Sequence, residues 1–398
     1  MPVNQHKGIT LSGQEKPAVR VALVAGEASG DRLAADLVRS VQDKHQGVTF
    51  FGMGGQAMRS AGVRIDQDFA GLSVVGILEA LWHYRRLRAV LEGMKRLISK
   101  ERPDLLVLVD YAEFNLRLAE FAKSIGLKVL FYVSPQIWAW RPSRIHRMVG
   151  RIDGMAVLFP FEVSYYQAVG IPVRYVGNPL LDDVKPSADV PALRASFGLV
   201  TDNKNESLLG LFPGSRESEW RRHMPLLIPV AQELAKHGVK SVVSVAPTLA
   251  IDLQEQAERY PTIHWIKGRS IDLMASCDAL VVASGTATLE AGLLQRPMVV
   301  VYRLSWLSYR LLRVFVRVKD IALVNIVAGH RVVQELVQSD FTVTRVKAET
   351  KRLLFDSSYK EKMVQELAAV RQSLGQGGAS DRLADWVLEL TQPQRDPS

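Results

Sequence analysis

Residues 278–294, DALVVASGTATLEAGLL, hold a strand, a turn and the start of a helix in one short stretch. The run ALVVA is apolar at every position and rich in valine. Ser284 and Gly285 interrupt it, and TLEAGLL resumes with helix formers. A strand apolar at every position, rather than at alternate ones, is covered on both faces, as in parallel sheets flanked by helices. The same unit recurs on either side: SLLGLFPG at 207–214, KSVVSVAP at 240–247 and PMVVVYR at 297–303. Further upstream come RVALVAG at 20–26, a helix from about Ser29, VTFFG at 48–52, a long helix near 77–99 and DLLVLVD at 104–110. A helix from Phe114, KVLFYV at 128–133 and GMAVLF at 154–159 complete the series. This alternation predicts an α/β fold of two doubly wound lobes with a cleft between them.

The rhythm pauses over 183–206, where prolines and the polar run TDNKNES read as a linker with one short helix. The expected organisation is a polar tail at 1–18, a lobe at 19–182, this linker, a second lobe at 207–380 and a tail at 381–398 that packs back or stays disordered. A chain of 398 residues, 47% hydrophobic, suits two domains rather than one. Its single cysteine, Cys277, excludes a disulfide framework and a cysteine-rich metal site, and fits a reducing cytoplasm. The opening MPVNQHKGITLSGQEKPAVR lacks the apolar core of an export signal. The longest apolar runs fall far short of the roughly 20 residues that span a bilayer.

The net charge of +9 attracts polyanions, whether nucleic acid, anionic lipid or phosphorylated substrate. No nucleic-acid module is recognisable. Two basic segments are amphipathic at helical spacing. In 84–98, Leu87, Val90, Leu91, Met94 and Ile98 line one face, with Arg85, Arg86, Arg88, Lys95 and Arg96 around it. In 305–319, Leu307, Leu311, Val314, Phe315 and Val318 oppose Arg310, Arg313 and Arg317. Either helix can simply pack on its lobe. With Glu92 their only acidic residue, the excess of bases favours an anionic membrane surface.

Ligands of open α/β sheets bind beyond the carboxyl ends of the strands. After the first strand, Gly26, Glu27, Ser29, Gly30 and Asp31 form a turn that a ligand can approach, or that Ser29 or Asp31 merely caps. It is not a dinucleotide fingerprint. Gly52 to Gly55 is a similar turn. Asp110 ends DLLVLVD, where partial desolvation can make a carboxylate basic enough for general-base work; Glu113 competes for that role, and helix capping is the plain alternative. Trp138, Trp140 and Arg141 offer a flat amphipathic wall for a sugar or acyl group.

In the second half, Gly214, Ser215 and Arg216 suggest a diphosphate clamp. Ser284, Gly285, Thr286, Ala287 and Thr288 supply hydroxyls and free amides for phosphates, with Glu290 one turn on for ribose hydroxyls. Paired in one lobe, the two turns read as a nucleotide-diphosphate site. The Walker pattern, zincin motif and nucleophile elbow are all missing. Asp66-Gln67-Asp68 imitates a metal-binding D-x-D but is read as a loop, so no metal is expected.

Taken together, GEASGD, GMGG, LSVVGILEAL, DYAEFN, YVSPQIWAWR, LFPFE, VGNPL, FPGSRESE, ASGTATLEAGLL and MVVVYR resemble the lipid-A-disaccharide synthase family, in order, over roughly residues 20 to 340. The resemblance implies a GT-B-type fold of two Rossmann-like lobes, the N-terminal for the acceptor and the C-terminal for a UDP-sugar. It implies inverting, metal-independent transfer from UDP-2,3-diacylglucosamine to 2,3-diacylglucosamine 1-phosphate, without a cofactor; with the two basic segments, the acylated acceptor leads us to expect peripheral attachment to the inner face of the cytoplasmic membrane. On this footing Asp110 is the base, Arg216 stabilises the departing diphosphate, and Glu290 and Asn325 hold ribose and base. The family's usual D-A-P-D-F-N is here Asp110-Tyr111-Ala112-Glu113-Phe114-Asn115, and its S-L-P-N is Ala322-Leu323-Val324-Asn325. Other UDP-N-acetylglucosamine enzymes, namely a peptidoglycan glucosamine transferase or a 2-epimerase, and a non-catalytic paralogue are the alternatives.

Overall fold

The computed structural model describes residues 19–69, 77–135, 142–199, 206–305 and 320–392. Its strands are β1 (Val19–Ala25), β2 (Val48–Gly54), β3 (Arg64–Asp68), β4 (Leu105–Val109), β5 (Val129–Tyr132), β6 (Gly154–Val157) and β7 (Val173–Tyr175). They continue with β8 (Ser207–Phe212), β9 (Val239–Val245), β10 (Ile263–Lys267), β11 (Ala279–Ala283), β12 (Met298–Tyr302) and β13 (Gln334–Val337). They form a seven-stranded sheet, β3-β2-β1-β4-β5-β6-β7, and a six-stranded sheet, β10-β9-β8-β11-β12-β13. The pairs resolved in each are parallel. The chain divides into two compact units, Met1–Tyr132 with Gly150–Gly154 and Leu383–Ser398, and Val133–Val149 with Met155–Arg382.

The central strands follow directly from their composition. Val21 to Ala25 and Leu105 to Val109 are fully buried, as are Leu208, Leu209, Leu211 and Leu280 to Val282 in the second sheet. Each strand is sealed on both faces by helices, so apolar residues are required at every position. Helix Ala28–Lys44 lays Ala34, Ala35, Leu37, Val38 and Val41 on the first sheet at helical spacing. Near the end of the chain, helix Ala379–Thr391 belongs in part to the first unit. There Gly154 leaves room for the Trp386 ring, which an added Cβ would meet at 2.6 Å.

Two expectations change. Asp66 and Asp68 lie on strand β3 rather than in a loop, and their carboxylates pair with Arg64 and Arg59. Helix Ile77–Glu101 turns Leu91, Met94 and Ile98 into the interior against helix Ala112–Ser124 and β2. Those three positions of the apolar stripe are core, not a surface for lipid; Arg85, Arg86, Arg88 and Arg96 are exposed. The second amphipathic segment falls on 306–319, outside the described residues.

Deleting a fully buried side chain removes its transfer free energy and leaves a cavity, about 2 to 5 kcal/mol for Met→Ala. Met94→Ala is therefore expected to lower the unfolding free energy measured by urea titration by an amount of that order, whereas Arg96→Ala on the exposed flank should fall within about 0.5 kcal/mol of the parent.

Candidate functional site

In both sheets the strand order reverses beside the first strand, between β1 and β4 and between β8 and β11. Chains leave such neighbouring strands in opposite lateral directions and open a crevice at their carboxyl ends. Ala25 pairs with Val109 at the last rung of the first reversal, so the turns after β1 and β4 emerge side by side.

Asp110 and Tyr111 follow β4 with φ of 49° and 47°, two consecutive non-glycine residues in the left-handed region. That conformation costs roughly 1 to 2 kcal/mol per residue and needs support from the surroundings. Asn115, wholly buried, supplies it by donating from Nδ2 to the carbonyls of Asp110 at 2.7 Å and Val109 at 3.3 Å. The Asp110 amide donates to the Tyr132 carbonyl at 2.9 Å. The side chain of Asp110 is thereby presented at the strand end, half-buried. Burial, with a smaller contribution from the Glu27 carboxylate, pushes its pKa above the ordinary aspartate value, while a backbone hydrogen bond from Tyr111 opposes the shift.

Around it the GEASGD turn divides by role. Gly26 lies under the Tyr111 ring, where a Cβ would come within 2.3 Å of the ring carbons. Gly30 is buried with Val109 and Ala25 in van der Waals reach of a Cβ, so the helix can seat closely on the two strands. Asp31 is buried, and its carboxylate accepts from the amides of Gly55 at 2.7 Å, Ala57 at 2.9 Å and Met58 at 3.2 Å. It therefore fastens the glycine turn after β2 rather than facing a ligand. Glu27 and Ser29 are exposed beside Asp110's strand, as is Glu113 in the next turn. Trp138, Trp140 and Arg141 lie outside the described residues.

At the second reversal a cavity of about 470 Å³ opens over the ends of β8, β9, β10 and β11. Gly214, Ser215 and Arg216 line it from one side, and Ser284 to Ala287 with Glu290 from the other. Gly214 has φ +111°, and a Cβ there would strike Glu219 Oε2 at 2.3 Å. That oxygen accepts from the amides of Ser215 at 3.1 Å and Arg216 at 3.2 Å, so the turn's amides are satisfied from within. The Arg216 side chain, 77% exposed, extends from this fixed turn. Opposite, helix Thr286–Leu293 starts at Gly285 with no side-chain cap. Its first-turn amides are the dipole end that suits an anion.

Three residues expected at the nucleotide spend their polar groups inside the protein. Ser284 donates to the Ile321 carbonyl at 2.8 Å. Thr288 is buried, donating to Gly285 at 2.8 Å and accepting from the Leu323 amide at 3.1 Å. Asn325 is buried; Nδ2 donates to Val333 and Glu335, and Oδ1 accepts from Val332 and Val333. With its hydrogen-bonding capacity so used, Asn325 holds the 321–335 segment together and does not serve ribose or base from this position. Sequence reasoning missed the walls formed by Ser244 to Pro247 and Gly268 to Ser270, although both follow strands and the strand-end rule would have found them. Beneath the floor, His223 is fully buried, with Nδ1 2.7 Å from the Pro213 carbonyl and Nε2 3.1 Å from the Arg303 amide. Burial lowers its pKa, and the neutral ring donates to the first and accepts from the second, tying the ends of β8 and β12 together.

Both lobes have counterparts among known folds. The UDP-GlcNAc 2-epimerase from Neisseria meningitidis bound to UDP-GlcNAc superposes with a TM-score of 0.61 at 15% identity, covering 93% of this chain and 100% of that one. The glycotransferase of kitacinnamycin gives 0.65 at 15% identity, covering 95% and 100%. At such identities the likeness shows the fold alone. The family pattern described as lipid-A-disaccharide synthetase matches residues 21–383. The lipid-A-disaccharide synthase of Nitrosococcus oceani is 43% identical over 94% of this chain and 97% of its own length. That of Trichlorobacter lovleyi is 42% identical over 94% and 98%. Along nearly its whole length, then, the chain belongs to the lipid-A-disaccharide synthase family of GT-B glycosyltransferases.

Proposed function

We propose that the chain transfers 2,3-diacylglucosamine from its UDP derivative to 2,3-diacylglucosamine 1-phosphate, giving a β-1,6-linked disaccharide 1-phosphate and UDP. The observation that carries this reading is Asp110, a half-buried carboxylate of raised basicity fixed at the β1/β4 reversal. As the acceptor's hydroxyl oxygen bonds to the anomeric carbon, its proton passes to Asp110 and the bond from that carbon to the diphosphate breaks. Attack from the face opposite UDP inverts the anomeric centre. Charge developing on the diphosphate is met by the Arg216 guanidinium and the uncapped start of helix Thr286–Leu293, with no metal required. Glu290, on the same helix, is suited to accept from the ribose hydroxyls.

The acylated substrates favour work at a membrane surface, because each exposed CH₂ costs about 0.8 kcal/mol. No helix among the described residues is long and apolar enough to cross a bilayer. With Leu91, Met94 and Ile98 committed to the core, the part of the helix from Arg85 onward offers exposed arginines. Arg85, Arg86, Arg88 and Arg96 can each contribute about 1 kcal/mol beside an anionic leaflet, declining with salt.

Asp110→Asn is expected to cut turnover at least about a hundredfold, with UDP affinity by calorimetry nearly intact. Because the working form is the deprotonated one and its pKa is raised, activity in the parent should fall with acid at a pH above the ordinary aspartate value near 3.9. Normal turnover in this variant would remove Asp110 from the role.

Arg216→Ala should weaken UDP binding by about 1.5 to 3 kcal/mol, the scale of a charged hydrogen bond, and slow transfer. Turnover should be insensitive to chelator; inhibition reversed by a divalent ion would contradict the metal-free mechanism.

Co-sedimentation with anionic vesicles should exceed that with neutral ones and decline with salt, and changing Arg85, Arg86 and Arg88 to Glu should reduce it. Attachment indifferent to all three would place the membrane contact elsewhere.

A further inference from the structure

Tyr111 is an unusual occupant of its position. Its backbone lies in the left-handed region, which glycine or asparagine would adopt with less strain. Its ring rests against the Gly26 backbone so closely that any side chain at Gly26 would displace it. Yet the ring is not needed to seal the core. Phe114, with its centroid 5.5 Å away, is buried, whereas Tyr111 is only partly buried next to Asp110. The resulting surface is an aromatic ring backed on one side by bare backbone, open on another, and one residue from the carboxylate. Strained conformations that persist at a strand end are supported because the group they present has work to do.

Building on the acceptor-site reading above, we propose that Tyr111 is a substrate-contacting, specificity-determining residue on which the acceptor's glucosamine ring rests, directing its hydroxyl toward Asp110. The apolar C–H faces of a pyranose match an aromatic ring, and the phenol offers a polar handle at its edge. Burial and the nearby Glu27 raise the phenol's pKa, so it remains protonated and acts as a hydrogen-bond donor rather than as a second base. Tyr111 would thus make this chain dependent on the sugar ring of the acceptor.

The test is steady-state kinetics with 2,3-diacylglucosamine 1-phosphate varied at saturating UDP-2,3-diacylglucosamine, for Tyr111→Leu and Tyr111→Phe. Leucine retains apolar cover over Gly26 but has no ring; phenylalanine restores the ring. The expected result is an acceptor KM raised about three- to tenfold in Tyr111→Leu, the scale of one aromatic contact, with UDP affinity and melting temperature close to the parent. In Tyr111→Phe the rise should be clearly smaller than in Tyr111→Leu and no more than about twofold, for loss of the hydroxyl alone. A parental acceptor KM in Tyr111→Leu, equal KM values in the two variants, or a KM rise accompanied by lost UDP affinity would overturn the proposal and leave the ring a packing element. If Asp110→Asn is inactive while Tyr111→Leu is normal, Tyr111 alone is refuted; if Asp110→Asn is fully active, the acceptor-site reading itself fails.

Discussion

The reversal of strand order beside β1 and again beside β8 is the constraint on which the rest of the molecule depends. A parallel sheet has no hairpins, so every strand must be followed by a return crossover, and covering both faces forces the crossovers to diverge somewhere. Where they diverge, strand-end residues are left without the next helix above them. In the first sheet these are Gly26 to Gly30 and Asp110 to Asn115; in the second they are Gly214 to Arg216 and Ser284 to Glu290. The residues of the proposed site lie at or beside these positions.

Each reversal is also rigid, and by different means. At the first, a wholly buried amide, Asn115, stabilises two left-handed residues through the carbonyls of Val109 and Asp110. At the second, a buried carboxylate, Glu219, gathers the amides of Ser215 and Arg216, with Gly214 giving it room. In both cases a buried side chain holds the backbone that carries the exposed or half-buried residue, Asp110 at the first turn and Arg216 at the second.

The central strands were legible because a strand sealed on both faces must be apolar throughout, and Val21 to Ala25 or Ala279 to Ala283 admit no other reading. The outer strands were not. β3 alternates exposed with half-buried residues, and β10 mixes His264, Trp265 and Lys267, so neither presents a continuous apolar run. The position of Asp110, Arg216 and the 284–290 turn at strand ends could be read from the strands they follow. The roles of Thr288 and Asn325 could not, because a hydroxyl or amide near a helix start binds a phosphate or a neighbouring carbonyl with the same chemistry. Only the coordinates show that Leu323, Val333 and Glu335 have taken those groups. Which partner covers the apolar face of the basic helix was not legible either: apolar periodicity reports that a face is buried without saying whether protein or lipid covers it, and Leu91, Met94 and Ile98 are covered by protein.

The distribution of charge at the second reversal follows from Glu219. Its carboxylate satisfies two amides that would otherwise be available to an anion, and it lies within 3.5 Å of the Arg216 guanidinium. A bound diphosphate would therefore meet a turn whose amides are already occupied and whose nearest acid is negative. Electrostatic attraction on that side has to come from the arginine, which is largely exposed and can swing away from Glu219 at small cost, since an exposed ion pair is worth little. Opposite it, the amides at the start of helix Thr286–Leu293 have no side-chain cap to compete with a ligand. The two sides are thus complementary: one supplies a mobile full charge, the other a fixed partial charge. For a leaving group whose negative charge grows during bond cleavage, the helix start would be the preorganised part of the stabilisation, and the arginine would add a full charge at the cost of reorienting its exposed side chain.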